Sequence, residues 1–319
     1  MSASSLSSRE RVKAAIAHRE TSRPPYCIAL TPGGADRLRK ATCGKSPLET
    51  LDNDVIQVFP PWWSWRDTPA DWRKPDAPSS AFSAPVSGTG SYPAFFEQVR
   101  MLRDHTDKYI LAMVYGSHFE KAYFARGLEN FLADLGGEPD FSRAFLGRII
   151  DRNMVMLENF LSAPEIDGVL LGSDWGTQRD LIMSPPVWED LIRPGEQREY
   201  DLIHAAGKDV WVHSCGNIEK IMSSLVEMGV DVINPVQPEC MDLATLKSRF
   251  GARIAFWGGI STQKTLPYGT PDEVRREARQ VRALMGAGGG FVFAPAQELQ
   301  EDVPPENILA LLEVAREET

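Results

Sequence analysis

Cysteine is scarce in this chain. Its 319 residues hold four, Cys27, Cys43, Cys215 and Cys240, too few and too scattered for the disulfide framework of a small secreted domain. A reducing cytoplasm is the expected setting, with thiols free for metal binding or chemistry. Long apolar runs are missing as well. The longest, such as Ile110 to Val114, are strand-sized, far short of the roughly 18 residues a membrane helix needs, so no membrane span is expected. The opening MSASSLSSRERVKAAIAHRE has no apolar stretch before a small-residue cleavage site, and no export leader is expected. Basic residues are in deficit, 34 Lys and Arg against 44 Asp and Glu for a net charge of −10. With no clustered basic surface in sight, nucleic acid is set aside as a partner. There is no G-x-G-x-x-G fingerprint, no phosphate-binding P-loop and no G-x-S-x-G elbow, which removes the main support for dehydrogenase, kinase and serine hydrolase readings.

What is present is an alternation. Apolar strand-like runs at 26–30, 55–59, 109–114, 168–171, 209–212, 230–233, 254–257 and 290–293 are separated mainly by amphipathic stretches. Helices are predicted at 8–18, 94–103, 119–135, 140–160, 185–206, 218–228, 243–250, 271–285 and 305–318, several opened by Ser, Thr, Asp or Pro. Eight strands alternating with helices predict an α/β fold, a single-domain (β/α)8 TIM barrel over residues 1–319. A doubly wound open sheet is the alternative. Segment 60–92 is dense in Trp, Pro, Ser and Gly, with Trp62, Trp63, Trp65 and Trp72 in eleven residues. It cannot be a regular barrel element and is expected as an irregular N-terminal excursion, a lid or hairpin over the C-terminal face.

In a parallel barrel the reactive groups stand just beyond the C-terminal ends of strands. His213 and Cys215, two apart at such an end, share one side of the strand and can converge on one Zn2+. The same pair also fits a hydrogen-bonded core histidine beside an inert thiol. A metal would need a further ligand, and Cys240, Glu239 and Glu298 are the candidates. Asp174, flanked by Gly172 and Gly176, is expected as a substrate-orienting or acid/base carboxylate, or else as a helix cap or a partner of Arg179. Asn234, Gln237 and Gln297 could hold a polar small-molecule substrate, or only satisfy loop backbone. Tyr115, Trp175 and Trp257 read as an apolar wall for it, or as barrel packing. His118 and Glu120 follow another strand end and could face the same pocket.

Together, Gly172 to Gln178, His213-Ser-Cys-Gly-Asn217, Asn234-Pro-Val-Gln237, Trp257-Gly-Gly-Ile260 with Tyr268-Gly-Thr-Pro-Asp-Glu-Val274, and Asp302-Val-Pro-Pro-Glu-Asn307 resemble the uroporphyrinogen decarboxylase superfamily. The resemblance is fullest over residues 160–319. It implies a (β/α)8 barrel with a deep C-terminal cleft, often a homodimer, in a group that includes cofactor-free porphyrinogen decarboxylases and zinc-dependent methyltransferases serving corrinoid proteins or thiols. Two departures separate those branches. The decarboxylases' Met-Arg-Gln-Ala-Gly-Arg segment, which grips substrate carboxylates, has no counterpart in Ala29 to Arg37, and the His213/Cys215 strand end is similar to the methyltransferases. On the last strand end, however, the methyltransferases' third zinc ligand, a Cys, is replaced by Gln297. The expectation is therefore a zinc-thiolate methyltransferase transferring methyl to or from a corrinoid protein, thiol or methoxy compound. The alternatives are a metal-independent decarboxylase of a porphyrinogen or smaller aromatic acid, and a non-catalytic binding barrel.

Overall fold

The computed structural model describes residues 6–63, 92–114 and 116–318. Seven parallel strands, β1 (Val55–Val58), β2 (Tyr109–Val114), β3 (Gly168–Gly172), β4 (Asp209–His213), β5 (Val232–Val236), β6 (Ala255–Ile260) and β7 (Phe291–Pro295), pair strictly in chain order. With their helices they form a TIM-type (β/α) barrel. The expected strand at 26–30 is not a regular strand, yet it occupies the eighth position. On one side Cys27 N–H donates to Phe293 O at 3.1 Å and Phe293 N–H to Pro25 O at 2.8 Å. On the other, the Asn53 side chain stands in for a strand peptide: its Oδ1 accepts from Ile28 N–H and its Nδ2 donates to Ile28 O, both at 2.9 Å. Pro24 and Pro25 have no N–H to give a ladder, which is why the segment bridges rather than pairs along its length.

Two apolar layers follow from the period of two along each strand. Within β2, Tyr109, Leu111 and Met113 belong to the barrel interior with Trp211 and Trp257, while Ile110, Ala112 and Val114 face the helices. Trp211 meets Trp257 edge to face at 5.4 Å between ring centroids, filling the barrel. The N-terminal face is bolted by carboxylates. Buried Asp54 accepts from Tyr26 N–H at 2.9 Å, Ser8 Oγ at 2.8 Å and Arg23 at 2.6 and 3.1 Å. Asp167 likewise accepts from Ile110 N–H at 2.9 Å and from Arg9 and Arg103.

The helical predictions differ from the structure where backbone chemistry intervenes. The stretch expected at 119–135 is two helices, His118–Arg126 and Leu128–Gly137, broken at Gly127 with φ 85°. The stretch at 185–206 contains a π-helical turn, Trp188–Ile192, just before Pro194, whose missing N–H widens the ladder. Of the expected excursion, only its two ends are described. Trp62 and Trp63 pack on helix Pro139–Leu161, with Trp63 Nε1 donating to Asn153 Oδ1 at 2.6 Å. Residues 64–91, including Trp65 and Trp72, lie outside the described residues.

Candidate active site

Strand register builds the site. Trp211 points into the barrel, so His213, two residues on, points inward at the C-terminal mouth. Asn234 is its direct neighbour on β5. The Asn234 amide nitrogen donates to Trp257 O at 3.3 Å, which turns Oδ1 toward His213 Nδ1 at 2.5 Å. Nδ1 therefore carries the ring proton, and the Nε2 lone pair faces the cleft. That lone pair looks at Cys215 Sγ, 3.4 Å away, and Asp174 Oδ1, 3.6 Å away. The donor atoms of Asp174, His213 and Cys215 all lie within 4.8 Å of one another.

The loops carrying these donors cross backbone to backbone. Asp174 Oδ1 accepts the Cys215 N–H at 2.8 Å, and Asn217 N–H donates to Thr177 O at 2.8 Å. A Cβ on Gly176 would lie 2.5 Å from Cys215 O, and Gly216 has φ 83° with Gly176 equally close, so only glycines permit this approach. Gln237 adds a clamp by accepting the Gly216 N–H at 2.6 Å. Burial, and then the charge of Asp174, push the Cys215 thiol up to about 12, opposed by the Gln297 amide nitrogen 2.7 Å from Sγ. Without a cation beside it this thiol stays protonated at neutral pH.

Several expected site residues take other places. Tyr115 lies outside the described residues. Trp175 is fully buried against Trp188, ring centroids 5.4 Å apart, and forms no wall of the cleft. Trp257 does line it, as do His213, Asn234, Gln297, Glu298 and Met113, around a cavity of about 30 Å³. Asn234 and Gln237, expected to hold substrate, have their carbonyl oxygens engaged by His213 and by Gly216 N–H. Cys240, Glu239 and Glu298 are outside the convergent donor group. Cys240 Sγ lies 3.8 Å from Gln237 Oε1, and Glu239 accepts from Ser261 Oγ; the third convergent donor is Asp174.

The His118 and Glu120 pair splits. His118 turns away, fully buried, between Ile192 O and Glu196. With Glu196 and Glu199 it forms a second group of possible metal donors among the described residues, inside helix packing. Glu120 instead lies on the Asp174 side, where burial, then the charge of Asp174, raise its carboxyl to about 7. The sequence signal for Glu120 was its position just past the end of β2. Asn234 is the residue that orients His213, and any metal held through His213 is expected to bind about 10–100-fold more weakly in Asn234→Ala with the fold intact. Zinc titration against a competing chelator checks this; unchanged affinity would remove Asn234 from the site.

A closed parallel barrel with polar, ionisable groups gathered at the C-terminal ends of its strands has the layout of an enzyme. Residues 66–318 match the family Uroporphyrinogen decarboxylase (URO-D), and the chain belongs to it. It is 26% identical over 178 residues to the uroporphyrinogen decarboxylase of Psychromonas ingrahamii, covering 53% of this chain and 46% of that one. To the methylcobamide:CoM methyltransferase MtaA of Methanosarcina barkeri it is 31% identical over 149 residues, covering 46% and 42%. The chain thus spans about half the length of the curated relatives it matches. A solved methyltransferase from Methanosarcina mazei shares the fold, with TM-score 0.74 and 18% identity over 97% of this chain and 98% of that one.

Proposed function

We propose that this chain is a methyltransferase of the uroporphyrinogen decarboxylase superfamily in which Asp174, His213 and Cys215 hold Zn2+. The observation that carries the reading is the convergence of one oxygen, one nitrogen and one sulfur donor within 4.8 Å, with His213 locked by Asn234 in the ligating tautomer. The set matches a catalytic zinc site, which takes three protein ligands and keeps one position for substrate. Zn2+ bound there supplies a Lewis acid for a ligand's oxygen, nitrogen or sulfur.

The protein's own part is placement. The Cys215 N–H to Asp174 bond and the glycine crossing fix the spacing of two donors, and Gln237 stiffens the turn that carries Cys215. Cys215 alone is a poor nucleophile because burial keeps it a thiol, which favours its use as a ligand. The missing carboxylate-gripping segment between Ala29 and Arg37 argues against a polycarboxylate substrate. The match to the methylcobamide:CoM methyltransferase supports a corrinoid protein as methyl donor or acceptor.

The test is methyl transfer from methylcobalamin to a panel of small thiols and amines. Activity is expected with the zinc-loaded protein, falling at least about 100-fold after chelator treatment and returning with zinc. Carbon dioxide release from a porphyrinogen or aromatic acid, indifferent to chelator, would instead establish the decarboxylase alternative.

A further inference from the structure

Three features of the cleft bear on what enters it. The first is its size: about 30 Å³ beside His213 is room for one or two water-sized groups. The second is its charge. Glu298 lines the cavity, and Asp174 stands beside His213 as one of the three convergent donors. Among the described residues, the lining contains neither Lys nor Arg. Lys121, next to Glu120, is not part of it; its Nζ is buried over the Trp62 and Trp63 rings, 4.8 and 5.0 Å from their centroids. The third is Gln297, whose amide nitrogen lies against Cys215 Sγ. An amide is a poor zinc ligand but a hydrogen-bond donor to sulfur.

We propose that Gln297 keeps the centre at a single sulfur donor and that the Glu298 carboxylate in the cleft lining selects a small uncharged or cationic substrate, such as an amine or methoxy compound, over one with an anionic tail. The inference rests on the metal-site reading above. The physical reason is the sign of the field. With Asp174 bound to the metal, the uncompensated charge at this mouth is the Glu298 carboxylate: an anionic tail meets it with no Lys or Arg among the described lining residues to pair with it, whereas an alcohol or ammonium tail meets no such repulsion. Met113 and Trp257 supply the apolar contacts for the carbon atoms.

The test uses the full chain loaded with Co2+ in place of zinc, so that binding is read from absorption spectra and not from turnover. The wild type is expected to show sulfur-to-cobalt absorption of one thiolate, and Gln297→Cys to raise it about twofold. Three probes of matched length are then titrated: 2-mercaptoethanol, cysteamine and 3-mercaptopropionate. The acid is expected to bind at least about tenfold more weakly than the alcohol, and Glu298→Gln to narrow that gap to about threefold. With cobalt bound, equal or tighter binding of the acid, or an unchanged spectrum in Gln297→Cys, overturns the inference and leaves the metal centre standing. A sulfur-to-cobalt band that is missing in the wild type, or that survives in Cys215→Ser, overturns the centre and this inference with it.

Discussion

Cys215→Ala is expected to yield folded protein that has lost its metal. Purified without chelator, the wild type should carry close to one zinc per chain, and both Cys215→Ala and His213→Ala should carry less than about a tenth, because removing one of three protein ligands leaves too few for a stable site. The loss should be local. Cys215 sits in the turn after β4, and its side chain touches His213 and Gln297 rather than the barrel core. The polar contacts that hold the turn use its backbone, through Asp174 and Gln237, and alanine keeps them. Elemental analysis beside a far-ultraviolet circular dichroism spectrum checks both halves. Wild-type zinc content in either variant would show that the metal sits elsewhere.

The second large effect lies at the opposite end of the barrel. Asp54→Ala should lower stability by about 3–5 kcal/mol, since it strands buried cationic partners of a fully buried carboxylate. Arg23 donates to Asp54 through two nitrogens and Arg11 lies 3.7 Å away, both largely buried. The Tyr26 N–H loses its acceptor as well, and Tyr26 begins the segment that closes the barrel between β7 and β1. For a chain of this length the change corresponds to roughly 6–20 °C in melting temperature. Calorimetry reads it directly, and a shift under about 2 °C would mean that Asp54 does not secure the closure.

These two sites also mark what could be read from the residues alone. The strand runs were legible because burial on both faces leaves near-continuous apolar stretches, as in Tyr109 to Val114. The closing segment was not legible as irregular, because on its β1 side the Asn53 side chain takes the place of part of a backbone ladder, and no periodicity announces that. His213 and Cys215 were legible as neighbours because a spacing of two fixes the face of a strand. Asp174 as their third partner was not, because it comes from the neighbouring strand. Its arrival depends on the pairing of Gly172 with His213 and on two glycines that let the loops touch. The same blindness to tertiary packing explains Trp175, whose place after a strand suggested the cleft but whose ring fills the space beside Trp188. It explains Cys240 too, correctly located at a strand end but turned to Gln237.

X-ray absorption at the zinc edge on wild-type protein is the most direct measurement of the central claim. The proposed centre predicts a first shell with one sulfur near about 2.3 Å and lighter donors at about 2.0–2.2 Å, the lone sulfur signal disappearing in Cys215→Ser. A shell without sulfur, a shell with two sulfurs, or wild-type protein that takes up no zinc would contradict it.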